Sequence, residues 1–171
     1  MSVCYVSAFL DLEREKWENF NRTFEQYIES FLPLVDLINK DEKSILLLFI
    51  DESRLKYVEK HTENVKNIIT IPIDNVWMEK NIPLWSRLER EREIMESDVF
   101  KTLVSHRLKC PETHNPKYTL INHAKIDFVN LAIQQYQNVE YFCWVDFGYF
   151  SKRENIPKNL LDANKLCLNK V

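Results

Sequence analysis

The chain has 171 residues, 45% hydrophobic and 29% charged, with a formal net charge of −3. That balance predicts one globular domain burying roughly two thirds of its surface and excludes a disordered or fibrous chain, and the weak negative charge leaves no electrostatic footprint for nucleic acid. The chain holds one glycine, Gly148, where average usage gives about a dozen, and this excludes both a P-loop and a G-x-G-x-x-G fingerprint, which need several.

Residues 3–10, VCYVSAFL, read as a buried strand. Trp17, Phe20, Phe24, Tyr27, Ile28 and Phe31 recur at steps of three and four, which predicts an amphipathic helix from about residue 13 to 31, ended or restarted by Pro33. Residues 45–50, ILLLFI, are wholly apolar and bounded by charge, as suits a central strand of a parallel sheet. A helix of about ten residues is expected after Asp51. Residues 65–73, VKNIITIPI, read as a third strand, and 84–107 as helical, with a solvated run of alternating charge from Arg87 to Glu93. The two prolines and polar residues of CPETHNPKY, 110–118, predict a loop. Residues 119–137 read as a helix, 139–145 (VEYFCWV) as a fourth strand, and 151–171 as a short tail with one helix after Pro157. The order β-α-β-α-β-α-α-β predicts an α/β three-layer sandwich with a mostly parallel sheet, residues 1–171 forming a single domain.

The four cysteines, at 4, 110, 143 and 167, form no C-x-x-C pair. Cys4 and Cys143 fall in predicted strands and read as buried thiols, which places the protein in a reducing, cytoplasmic compartment. Residues 1–10 lack a basic n-region and a cleavage-like end, so no signal peptide is read. No apolar run approaches the length of a transmembrane helix, which leaves peripheral contact as the expected relation to a membrane.

Four apolar runs end in the same residue type, at Asp11, Asp51, Asp74 and Asp146. In a parallel sheet these carboxylates lie along the C-terminal edge, where open α/β sheets bind ligands. Aspartate after a strand is also a common N-cap, which suits Asp51 and Asp74. Asp146 differs, because FGYFSKREN after it has no helical pattern. On a helical wheel Lys125 falls inside the apolar face of 120–136, beside Ile121 and Ala132. It therefore snorkels or has an anionic partner, since an unpaired buried ammonium is costly. Two readings follow: a Lys125–Asp146 pair, or a lysine on a ligand phosphate with Asp146 on a metal or sugar. Asn122 could add a polar contact beside it, and His123 reads as a surface residue. A carboxylate near phosphate ordinarily works through Mg²⁺ or Mn²⁺; a D-x-D pair would strengthen that reading, but the third position here is Gly148. A kinase reading of Asp146-Phe147-Gly148 fails for lack of a glycine-rich loop and an H-R-D catalytic loop.

VSAFLDLEREKW (6–17), LLLFIDES (46–53), CPETHNPKYTLINHAK (110–125) and YFCWVDFGY (141–149) together resemble the HtrL/YibB family, described as glycosyltransferase-like and tied to lipopolysaccharide and lipooligosaccharide gene clusters. The combination of Asp11, Arg14, Trp17, Pro111, Glu112, Tyr118, Lys125, Trp144, Asp146 and Gly148 carries the resemblance. It implies a GT-A-like fold with a Rossmann-type nucleotide-sugar-binding half. It further implies a glycosyltransferase moving a sugar from a nucleotide-diphosphate donor to a glycan or glycolipid acceptor of the lipooligosaccharide type. On that reading Asp146 is catalytic and binds a divalent cation, Mn²⁺ or Mg²⁺. Asp11 grips the nucleoside, Arg14 and Lys125 the diphosphate, and Gly148 lets backbone approach the ligand. Glu112 and His114 are the candidates for acceptor contacts or base work. The pattern departs from D-x-D, and only 23 residues follow Gly148, where such enzymes continue with an acceptor-binding region. The expectation is thus a C-terminally truncated or minimal form. The alternative is a non-catalytic nucleotide-sugar-binding or interaction domain derived from the same fold.

Overall fold

Among the described residues four strands form one parallel sheet: β1 (Val3–Phe9), β2 (Ser44–Asp51), β3 (Ile68–Ile73) and β4 (Tyr141–Trp144), in the order β3-β2-β1-β4. The computed structural model describes residues 2–107, 110–150 and 156–160, and of His114 the backbone alone. The two central strands are the longest and most apolar, as expected of strands covered on both faces. Alternation divides their side chains. Val3, Tyr5, Phe9, Leu46, Leu48 and Ile50 face one core cluster, and Cys4, Val6, Leu47 and Phe49 face the other.

The first cluster is closed by α1 (Phe24–Lys40) and α2 (Leu55–Thr62), through Phe31, Leu34, Ile38 and Val58. The second is closed by α3 (Asn75–Asn81), by the 3₁₀ turn Pro83–Arg87, and by two helices further along the chain. Between these lie α4 (Leu88–Glu96), α5 (Asp98–Leu103) and α6 (Pro111–His114). The last two helices are α7 (Pro116–His123) and α8 (Lys125–Gln135), which bury Leu120, Phe128 and Ala132. Helix, sheet, helix is the three-layer α/β arrangement expected. Among the described residues no helix is long and apolar enough to cross a membrane, and Cys4, Cys110 and Cys143 are free thiols.

Several elements differ from the sequence reading. The helix expected from 13 to 31 starts at Phe24, where Thr23 and Gln26 form a capping box: Thr23 Oγ1 accepts from the Gln26 N–H and Gln26 Oε1 from the Thr23 N–H. Residues 14–16 form only a 3₁₀ turn, and Trp17 and Phe20 stand outside the helix. Pro33 lies inside α1, which runs on to Lys40 because Leu34, Val35, Leu37 and Ile38 bury against the sheet. The segment 84–107 is broken, chiefly at Ser97, whose hydroxyl caps α5. The loop expected at 110–118 contains α6 and the start of α7, each opening on a proline at the first helical position, where the missing N–H costs nothing. The helix expected over 119–137 is two, separated at Ala124 (φ −69°, ψ −3°). The helix expected after Pro157 falls almost wholly outside the described residues.

Candidate functional site

The strand order places a reversal at β1: the chain moves outward through β2 and β3, then returns to β4 on the other side. Ligands of open α/β sheets bind outside the C-terminal ends of the strands at such a point. Here β4 ends early. Its last ladder partner pair is Val6–Trp144, with one more bond from the Val145 N–H to the Val6 carbonyl at 2.9 Å, whereas β1 continues to Phe9. A pocket of about 370 Å³ opens between residues 8–12, at the end of β1, and 144–149, at the end of β4. Its walls are Tyr27 of α1, Arg54, Tyr118, Ile121 and Asn122 of α7, and Lys125 of α8.

The DFG stretch is aimed into this pocket by its middle residue. Phe147 is buried, stacked on Phe31 (centroids 4.4 Å apart, 15° between planes) and packed on Phe9 at 4.9 Å. With Phe147 held in the α1-side core, Asp146 and Gly148 are left at the pocket surface. The Tyr149 N–H donates to the Asp146 carbonyl at 2.9 Å and closes a turn. Asp146 Oδ1 accepts from Lys125 Nζ at 2.6 Å and from Trp144 Nε1 at 2.8 Å, and its side chain is 52% exposed. Lys125 is the first residue of α8, and its ammonium also lies 5.7 Å from the Trp144 ring centroid. The anionic partner expected for Lys125 is thus Asp146.

Gly148 does not adopt a positive φ, so no backbone constraint of its own requires glycine. A Cβ there would stand 2.5 Å from Arg22 Nη1. The absent side chain makes room for a guanidinium.

That guanidinium arrives on the loop between Asp11 and Thr23. Asp11 Oδ1 accepts from the Glu13 N–H at 2.8 Å, and Glu13 turns into the left-handed region (φ 53°). Phe20 does the same (φ 57°) while 55% exposed; such conformations cost of order 1–3 kcal/mol each in a residue with a side chain. Arg14 ties the loop together, donating to the Phe20 carbonyl at 2.7 Å and to the Tyr27 hydroxyl at 2.6 Å. It lies among Trp17, Tyr27 and Tyr118 at 5.3, 5.9 and 5.4 Å from their centroids. Arg22 lies 4.0 Å from the Tyr27 centroid and donates to Ser30 Oγ at 2.6 Å. Burial pulls the Arg22 pKa down; Tyr27 opposes that and the Arg14 charge adds to it. Burial raises the Tyr27 pKa, against the pull of both arginines.

With the site in view, the comparisons bear on it. The chain matches, over residues 1–169, the family described as "Bacterial protein of unknown function (HtrL_YibB)". It belongs to the HtrL_YibB family. A search of curated proteins and a search of solved structures each found no match.

In this HtrL_YibB protein, Asp11, Arg14, Lys125, Asp146 and Gly148 all line one pocket. Glu112 does not: it is exposed on α6, just ahead of the pocket helix α7, and α6 also carries His114, whose side chain lies outside the described ones. The other strand-end aspartates act on backbone. Asp51 caps the 3₁₀ turn Glu52–Arg54 and accepts the Asp11 N–H, and Asp74 caps α3. Asp11 is fully engaged, since Oδ2 accepts from Arg54 Nε at 2.7 Å and Nη2 at 2.6 Å. Burial lowers the Arg54 pKa, but the hydrogen bond and charge of Asp11 outweigh it and the net shift is upward.

The donor set does not suit a divalent cation held by protein side chains. Both Asp11 oxygens are engaged, Asp146 Oδ1 faces an ammonium, and no group of three His, Cys, Asp or Glu stands together among the described residues. Sequence reasoning missed Arg22 and Arg54, placed Tyr27 on an apolar helix face, and named Tyr118 in the resemblance without a role in the site. Only the T-x-x-Q capping signature at Thr23 could have freed Arg22 from the supposed helix.

Proposed function

We infer that this pocket binds a nucleotide-diphosphate sugar and that the protein is a glycosyltransferase acting on a glycan or glycolipid acceptor. One observation carries the reading: a pocket of about 370 Å³ at the reversal of strand order, where Lys125 and Asp146 meet beside Arg14. Its size is that of small-molecule sites, and its place is where α/β sheets hold nucleotides. The family membership, and the likeness to glycosyltransferase-like proteins read from the sequence, support the same function. In the transfer, an acceptor hydroxyl oxygen bonds to the anomeric carbon as that carbon's bond to the diphosphate oxygen breaks. The nucleoside diphosphate leaves with the electron pair, and the hydroxyl proton passes to a base. Arg14 and Lys125 face the leaving diphosphate, Asp11 and Arg54 form the nucleoside side, and Asp146 is the exposed carboxylate at the reacting sugar. Glu112 and His114 are assigned to the acceptor side, beyond the pocket itself.

A second reading, a nucleotide-sugar-binding domain without turnover, draws on the engagement of Asp146 Oδ1 by Lys125 and Trp144. Thermal-shift assays with UDP-, GDP- and dTDP-sugars test binding, with a CMP-sugar, which carries a single phosphate, as the control. A donor at 100 times its Kd stabilises by about 2.7 kcal/mol, roughly 5–10 °C for a chain of this size. No shift with any donor would sink both readings. Release of nucleoside diphosphate by the native protein and not by Asp146→Asn establishes the transferase; a shift without release establishes the binding domain.

A further inference from the structure

Among the described residues, four cations line the pocket: Arg14, Arg22, Arg54 and Lys125. Two are neutralised within it, Arg54 by Asp11 and Lys125 by Asp146. Arg14 and Arg22 have no carboxylate partner among the described residues. The fold nevertheless holds them together. The Arg22 N–H donates to the Arg14 carbonyl at 3.4 Å, Arg14 bonds the Tyr27 hydroxyl, and Arg22 lies over the same Tyr27 ring. The only glycine of the chain is spent on leaving space for Arg22. Two partly buried guanidiniums beside one another repel, and their placement is unfavourable until an anion joins them. Guanidinium forks match phosphoryl oxygens in geometry as well as charge.

We propose that Arg14 and Arg22 form a phosphoryl subsite that holds the diphosphate of the pocket's ligand without a divalent cation. The proposal rests on the nucleotide-diphosphate reading and makes it specific. Two arginines bring the same charge as one divalent ion. In that pocket Asp11 already faces Arg54 and Asp146 faces Lys125, and Glu15 makes no ion pair with either arginine of the subsite, so the counter-charge to the diphosphate is built into the chain. Arg22, absent from any motif, becomes a binding residue, and Gly148 a positioning residue that acts through it.

Calorimetric titration of inorganic pyrophosphate into the intact protein in EDTA tests this. Binding is expected, weakened at least tenfold by Arg22→Gln and by Arg14→Gln, and not tightened when Mg²⁺ replaces EDTA. Arg22→Lys keeps the charge without the fork and should fall between. Gly148→Ala keeps both arginines but crowds Arg22, and should weaken pyrophosphate several-fold with the fold intact by circular dichroism. Absence of binding in EDTA, or binding indifferent to Arg22→Gln, overturns the subsite. A UDP-sugar that binds only with Mn²⁺ and ignores Arg22→Gln would likewise overturn it while leaving the donor reading standing. Arginine-dependent pyrophosphate binding that no nucleotide sugar exceeds would uphold the subsite and defeat the donor reading.

Discussion

At the scale of the residue, the site is decided by neighbours that lie far apart in the chain. Asp146 and Lys125 could be singled out because each sat where its type needed an explanation, an acid after a strand with no helix to cap and a lysine on an apolar face, whereas Arg14 came only through the family resemblance. Gly148 could be singled out too, but for a different reason than the one the structure gives, since its φ is ordinary and its service is to Arg22. Arg22 itself carried no signal, because a lone arginine in NRT says nothing until the loop has folded. Cys4 illustrates the opposite case, a buried strand thiol legible at once. Burial pushes its pKa up to about 11, against the lowering effect of a backbone bond from Leu47. The folded thiol therefore keeps its proton while the unfolded one, near its usual value of 9.0, loses it. Stability contributed by neutral Cys4 is complete below pH 9 and is lost as pH rises toward 11, amounting to about 2–3 kcal/mol at most. Urea denaturation at about pH 8 and about pH 10.5 should show a loss for the native protein that is smaller in Cys4→Ala. Cys143 and Tyr27, also raised chiefly by burial, titrate in both proteins and cancel in the difference. Equal losses in the two would show that the Cys4 thiol ionises as freely in the folded state as outside it.

At the scale of the element, the strands were legible and the helices less so, for one physical reason. A strand covered on both faces writes a continuous apolar run, as ILLLFI does, and nothing else in this chain resembles it. Helical spacing is weaker, because apolar residues of a structured loop can continue the pattern by accident. Trp17 and Phe20 did so, although Trp17 serves the Arg14 cluster and Phe20 is exposed. Pro33 misled in the other direction. Interior proline removes one helical hydrogen bond, yet α1 runs through it because four apolar residues beyond it are buried. The proline is thus a tolerated local cost. Pro33→Ala should restore the bond to the Glu29 carbonyl. Proline is less favourable than alanine inside a helix by about 3 kcal/mol, offset in part by the stiffer unfolded chain. A net gain of about 1–2 kcal/mol in denaturant midpoint analysis is expected. Loss of stability on this substitution would mean that the helix is bent at Pro33 in a way the core requires.

At the scale of the whole molecule, what matters is where the chain reverses. Strand count and parallel direction followed from the alternation of elements, but the order β3-β2-β1-β4 did not, since nothing local says on which side of β1 the fourth strand pairs. That order brings scattered segments into one pocket. The loop after β1, the start of α1, the turn after β2, the α7–α8 junction and the turn after β4 meet only because β4 lies beside β1 and stops short of it. The far edge, β3 with α2 and α3, contributes core but no pocket wall. Ligand-induced protection should follow this division. Hydrogen exchange of the intact protein, with and without a saturating nucleotide-diphosphate sugar, should slow in residues 8–22, 118–125 and 144–149. The loop at 13–22 should respond most, since its two left-handed residues, Glu13 and the exposed Phe20, mark it as the least stable part of the wall, and low local stability gives binding the largest scope to change exchange. Residues 55–62 and 68–81 should be unaffected in their fast-exchanging amides. Protection centred there would place the ligand on the β3 side and remove Asp146, Lys125 and both arginines from the site together.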